Sequence, residues 1–182
     1  MRFNFTKRFS TNEDGGLSIE AVLAIPLLVW ALTATIVFYD AFKTLHISQK
    51  ATYTIADMLS REEAEITPDY LTAVYELYDF LSESQGDNAL RVSVVTMNED
   101  PVTLAKSLAL VCSEGVGGIA GYSDIDAIED RIPDMMPGDQ LIVVESEQEW
   151  SPSFAVGLAS YRFREVALAR PRFAPQLVLN PC

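Results

Sequence analysis

The stretch Gly15-Gly16-Leu17-Ser18-Ile19-Glu20-Ala21 sets a carboxylate at the edge of an apolar run. A charged side chain near a bilayer centre costs up to about 3 kcal/mol, and less towards the interface, so one retained there implies a partner. A free amine is the partner that fits. If the bond after Gly15 is cut, Gly16 becomes the first residue and Glu20 the fifth. On a helix these are i and i+4, on one face and about 6 Å of rise apart. The new ammonium then neutralises Glu20 of the same chain or of a neighbour. The competing reading is an interfacial glutamate that snorkels to the headgroups.

The element that must position this pair is the run behind it. Ala21–Tyr39 is 19 residues without an ionisable side chain. About 20 apolar residues at 1.5 Å rise cross a hydrocarbon core of roughly 30 Å. Only Thr33 and Thr35 interrupt the apolar surface. The run is too long for the apolar core of a removable signal peptide, and no clean small-x-small site succeeds it. Arg2, Lys7 and Arg8 precede the span, which predicts a cytoplasmic N-terminus and an extracytoplasmic domain. The basic segment Met1–Phe9, with Phe3, Phe5 and Phe9, is expected to lie along the membrane surface. Pro26 sits inside the span and removes the amide that would bond the Val22 carbonyl, which predicts a kink.

A basic leader, a glycine and an apolar helix with glutamate at the fifth mature position form the prepilin pattern. More closely, Gly16-Leu17-Ser18-Ile19-Glu20-Ala21-Val22-Leu23-Ala24-Ile25-Pro26-Leu27-Leu28 resembles the TadE/TadF-like pseudopilins of the tight-adherence (Tad/Flp) pilus. The likeness is strong over residues 8–40 and diffuse beyond, where Arg170-Pro171-Arg172-Phe173 is similar in style. Ala21 departs from the family, whose processing site carries an aromatic residue after the glutamate. The resemblance implies a minor pseudopilin of the bacterial inner membrane that takes part in assembling a pilus. It also implies other pilin subunits, an inner-membrane platform and a prepilin peptidase as partners. A signal-anchored periplasmic binding or envelope protein, unrelated to pili, is the alternative.

The net charge of −13 excludes a nucleic-acid partner, because phosphate binding needs a basic face. Residues 1–15 read as a cytoplasmic leader, 16–40 as the transmembrane helix, 41–66 as a stalk helix and 67–182 as an extracytoplasmic α+β domain. Ala41, Leu45, Ala51, Ile55 and Met58–Leu59 recur at helical spacing and need a cover. Thr67-Pro68 starts a second helix, with Leu71, Val74, Tyr75, Tyr78 and Leu81 on one face and Gly86 at its end. Leu90, Val92 and Val94 alternate with Arg91 and Ser93 as a strand. Asn98–Pro101 turns the chain, and Val102–Cys112 reads as the returning strand. Gly115–Gly121 is expected to be a flexible loop, and Ile125, Ile128 and Ile132 a short helix stopped by Pro133. Pro137-Gly138-Asp139 turns into Gln140–Trp150, and Tyr161–Ala169 makes the fourth strand. The predicted fold is α+β and pilin-like, a membrane helix extending into a stalk packed on a small antiparallel sheet.

Cys112 and Cys182, the two cysteines, are expected to form a disulfide that stabilises the fold by about 4 kcal/mol in the chain-entropy account. Gly115-Val116-Gly117-Gly118-Ile119-Ala120 matches a phosphate-loop pattern, but no ribose-binding acid lies at the required distance after it. Asp124, Asp126, Glu129 and Asp130 lack the looped pattern of a calcium site and read as a helix N-terminus. His46 is the only histidine and lies just past the span, which argues against a His-dependent hydrolase. No metal, cofactor or enzymatic activity is expected. Glu145, Glu147 and Glu149 alternate on a strand and read as a solvated face. Trp150 and Phe154 are either a partner-contact patch or core. Arg162 and Arg164 pair either with a neighbouring subunit or within the chain.

Overall fold

The structure, a computed structural model, describes residues 16–84, 86–180 and 182, with side chains from residue 19 onward. Its elements are two α-helices, α1 (Gly16–Ser60) and α2 (Pro68–Ser82), and four strands, β1 (Asn88–Glu99), β2 (Lys106–Val116), β3 (Gln140–Trp150) and β4 (Tyr161–Ala169). The strands form one antiparallel sheet in the order β2-β1-β3-β4. This is the α+β arrangement expected from the sequence. Two compact units are distinguished. One holds the helix up to Asp40 with Pro152–Leu158, and the other holds Ala41–Ser151 with Ala159–Cys182.

In the first unit α1 is long and apolar enough to cross a membrane. Val22, Leu23, Leu27, Trp30 and Leu32 are all more than half exposed, so no protein core explains their apolarity. The helix continues through Pro26. Thr33 and Thr35 return their hydroxyls to the Val29 and Ala31 carbonyls, at 2.8 and 2.9 Å, so neither leaves an open donor in an apolar setting.

In the second unit the same helix becomes one-sided. Ala51, Ile55, Ala56 and Leu59 are buried against Leu90, Val92 and Val94 of β1 and Ile142 and Val144 of β3. Helix α2 adds Leu71, Val74 and Tyr78 to that core. Thr67 caps α2 by accepting the Tyr70 amide at 3.3 Å, and Pro68 occupies its first turn. The helix stops at Glu83, which adopts a left-handed conformation (φ 50°), three residues before the glycine expected to end it.

Helix α1 ends at Ser60, short of the predicted residue 66. Two causes are visible. Glu62, Glu63 and Glu65 would place negative charge at the negative end of the helix dipole. The backbone is also diverted: Ile66 bridges Leu179, and the Arg172 amide donates to the Ser60 carbonyl at 2.7 Å. The segment after β4 therefore takes over the last turn of α1.

Strand β1 extends beyond the predicted stretch, and β2 starts later than predicted. Residues 102–105 belong to the turn, where Asp100 accepts the amides of Val102 (2.7 Å) and Thr103 (3.0 Å). Those two amides hold the Asp100 carboxyl below its usual range. The β1–β2 register shifts between Val94 and Val95, leaving Val111 as the extra residue of a bulge. The predicted helix at Ile125–Ile132 is instead two short 3₁₀ turns, Ile125–Ala127 and Glu129–Arg131. Ile128 between them is fully buried against the second sheet face, with Val95, Met97, Met135, Leu141 and Val143.

Candidate functional site

The candidate assembly site is the start of α1. Gly16 and Glu20 both lie in helical backbone, one turn apart, and Glu20 is exposed. Gly15, and with it the bond proposed for cleavage, lies outside the described residues, as does the basic segment before it. Beyond Glu20, α1 continues as the uncharged run from Ala21 through Pro26 to Tyr39.

The other sequence-derived candidates lie in or beside the sheet. Cys112 of β2 and Cys182 are joined in a disulfide, with Cα atoms 5.8 Å apart and a sequence separation of 70. Glu114 lies beside the pair, but sulfurs bonded to each other are not available as thiolate ligands. Trp150 is 7% exposed, which makes it a packed residue, and its ring lies 6.4 Å from that of Phe163. Phe154, four residues on, is 55% exposed.

The acidic row on β3 departs from the expectation of a solvated face. Glu145 is buried, and both of its oxygens are engaged. Arg91 Nη1 bonds one at 2.9 Å; Arg131 Nη1 and, at 3.1 Å, the Tyr122 hydroxyl bond the other. Arg91 also stacks 3.8 Å from the Tyr122 ring centroid and donates from Nε to the Ala120 carbonyl at 2.7 Å. Burial, reinforced by Glu145, pushes the Tyr122 hydroxyl pKa up, so it stays a donor at ordinary pH. Burial of this kind is tolerable because every charge has a partner.

Further along the row, Glu147 meets Arg164 at 2.9 Å and Arg162 at 3.3 Å, and Arg162 also reaches Glu149 at 3.6 Å. Cross-strand register explains this, since Glu147 lies opposite Arg164 and Glu149 opposite Arg162. The two arginines thus have partners within the chain. Sequence reasoning missed Arg91, Tyr122 and Arg131. The signal for Arg91 was there: it shares the odd-numbered face of β1 with Ser93 and Val95, and β1 pairs with β3.

The glycine-rich segment folds back onto β2. A side chain at Gly115 would meet the Ile119 carbonyl, and one at Gly121 the Ser113 carbonyl, so both positions require glycine. The loop turns the Ala120 carbonyl towards a guanidinium, the opposite of an amide cradle for phosphate. Asp124 caps the first 3₁₀ turn through the Ile125 amide at 2.6 Å. A recess of about 490 Å³ is lined by Tyr75, Asp87, Asn88, Gly117, Glu147 and Arg162, and its two long charged side chains are paired with each other. His46 is exposed on α1.

Comparison of the chain with protein-family models, with characterised proteins and with solved structures finds no match.

Proposed function

We propose that the protein is a minor pseudopilin of the TadE-like kind, which takes part in assembling a Tad/Flp-type pilus at the bacterial inner membrane. Its role is physical rather than enzymatic. The N-terminus is cytoplasmic, α1 crosses the membrane once, and the α+β domain lies in the periplasm. A prepilin peptidase cuts after Gly15, and the Gly16 ammonium pairs with Glu20 of its own or a neighbouring chain. Pairing removes the cost of a lone carboxylate at the membrane edge and sets the register of adjacent helices. The domain then offers its surface to other pilin subunits and to the platform.

The observation that carries this reading is the spacing of Gly16 and an exposed Glu20, one turn apart, at the head of a largely exposed 19-residue uncharged helical run. N-terminal sequencing of the protein from its native membrane tests the processing step. A start at Gly16 supports it, and an intact Met1 overturns it. Glu20→Ala tests the assembly step: the variant inserts normally but surface pili are lost. Unchanged piliation with normal insertion refutes the role given to Glu20.

A further inference from the structure

The chain carries 26 acidic and 13 basic residues, yet Ser151–Ser160, between β3 and β4, carries none of either. Ser-Pro-Ser-Phe-Ala-Val-Gly-Leu-Ala-Ser is the composition of a segment that can leave water without stranding a charge. Its centre is shaped. The Val156 amide returns to the Phe154 carbonyl at 3.0 Å, a three-residue turn, and Gly157 comes next at φ 96°. The turn leaves the Phe154 ring 55% exposed.

Pro152–Leu158 belongs to the same compact unit as the helix up to Asp40. Within residues 19–40 one position is buried, Val37 at 2% exposure, so the helix is covered near the end of its uncharged run and open elsewhere. Beside Val37, Phe38 and Tyr39 remain 49% and 71% exposed. Aromatic rings at the end of a span are the usual furniture of a membrane–water interface.

We propose that the β3–β4 loop is a second membrane contact, which seats Phe154 in the headgroup–acyl boundary where α1 leaves the bilayer. The occupant is lipid. The loop is uncharged in an acidic chain, exposes an aromatic ring, and groups with the apolar helix that is itself read as crossing the membrane, a reading on which this inference rests. Phe154, Phe38 and Tyr39 then act together as an interfacial collar, which fixes how deep the helix sits.

The test uses the full chain, disulfide intact, in phosphatidylcholine vesicles, with the environment-sensitive fluorophore NBD placed singly at Phe154→Cys, Leu28→Cys or Val102→Cys. Label at Phe154 is expected to emit blue-shifted and to lose intensity to lipids bearing a nitroxide near the headgroup, more than to lipids bearing it deep in the chain. Leu28 shows the reverse preference, and Val102, on the β1–β2 turn, shows neither. If Leu28 is quenched by the deep probe while Phe154 stays aqueous, the loop inference fails and the span stands. If Leu28 is not quenched, the span reading itself fails. A blue shift at Phe154 without lipid quenching means that protein covers the ring, a second copy included, and overturns the proposal.

Discussion

The two faces of the sheet solve the problem of burial in different ways. The even-numbered face of β1 and β3 (Leu90, Val92, Val94, Ile142 and Val144) is sealed by helices. Its buried polar groups are uncharged: hydroxyls that bond one another, Thr52 to Ser146 at 2.6 Å and Ser48 to Tyr78 at 3.0 Å, and the amides of Asn88, Gln140 and Gln148. The odd-numbered face is sealed by irregular chain. It is apolar at Val95, Leu141 and Val143, then turns ionic at Glu145 and stays so through Glu147 and Glu149. A helix brings a periodic apolar stripe that can match a strand. The segment from Gly115 to Met135 forms no α-helix: Ile125, Ile128 and Ile132 cover the apolar end of its face, and Tyr122 and Arg131 hold down the ionic end. The ionic face should therefore be the more brittle, since one missing partner strands a buried charge.

Glu145→Ala is the sharpest way to break the contrast. It leaves Arg91, whose side chain is 12% exposed, without its carboxylate, and should cost about 3–5 kcal/mol, read by denaturant unfolding of the full chain in detergent micelles. The double variant Glu145→Leu with Arg91→Met should recover most of that loss, and a loss equal to the single variant's would refute the charge explanation. On the helical face Leu59→Ala should cost about 3 kcal/mol, whereas Leu27→Ala, 66% exposed on the same helix, should leave the unfolding midpoint of the domain unchanged. Thr52→Val leaves the buried Ser146 hydroxyl without its 2.6 Å partner, and a cost of about 1–2 kcal/mol is expected in the same assay. Arg164→Ala, with its side chain 73% exposed, should cost less than about 1 kcal/mol and become neutral in high salt.

Legibility divided along the same line. Strands β3 and β4 run over the residues that alternation and flanking turns predicted, because that signal is local. The apolar run of α1 and the Thr67-Pro68 start of α2 are local too. The end of α1 was not, because it depends on Arg172 and Leu179, more than a hundred residues away. The start of β2 was missed because Asp100 draws Val102 and Thr103 into the turn, although both types suit a strand. Alternation correctly put Glu145 on one face with Glu147 and Glu149. It could not say that Tyr122 and Arg131, from a segment that forms two 3₁₀ turns in place of the expected helix, cover the first of them. Of the candidate assembly site, the Gly16 to Glu20 spacing was readable in full, since it needs only a helix.

The bond between Cys112 and Cys182 has a consequence in time. It links β2 to the segment after β4, so it encloses β3 and β4 in its loop. A chain that emerges from its N-terminus presents Cys112 first, and Cys182 follows 70 positions later. By then both strands that complete the sheet have arrived. The staple therefore cannot close before every strand of the sheet is present, and once closed it ties β2 to the segment that follows β4.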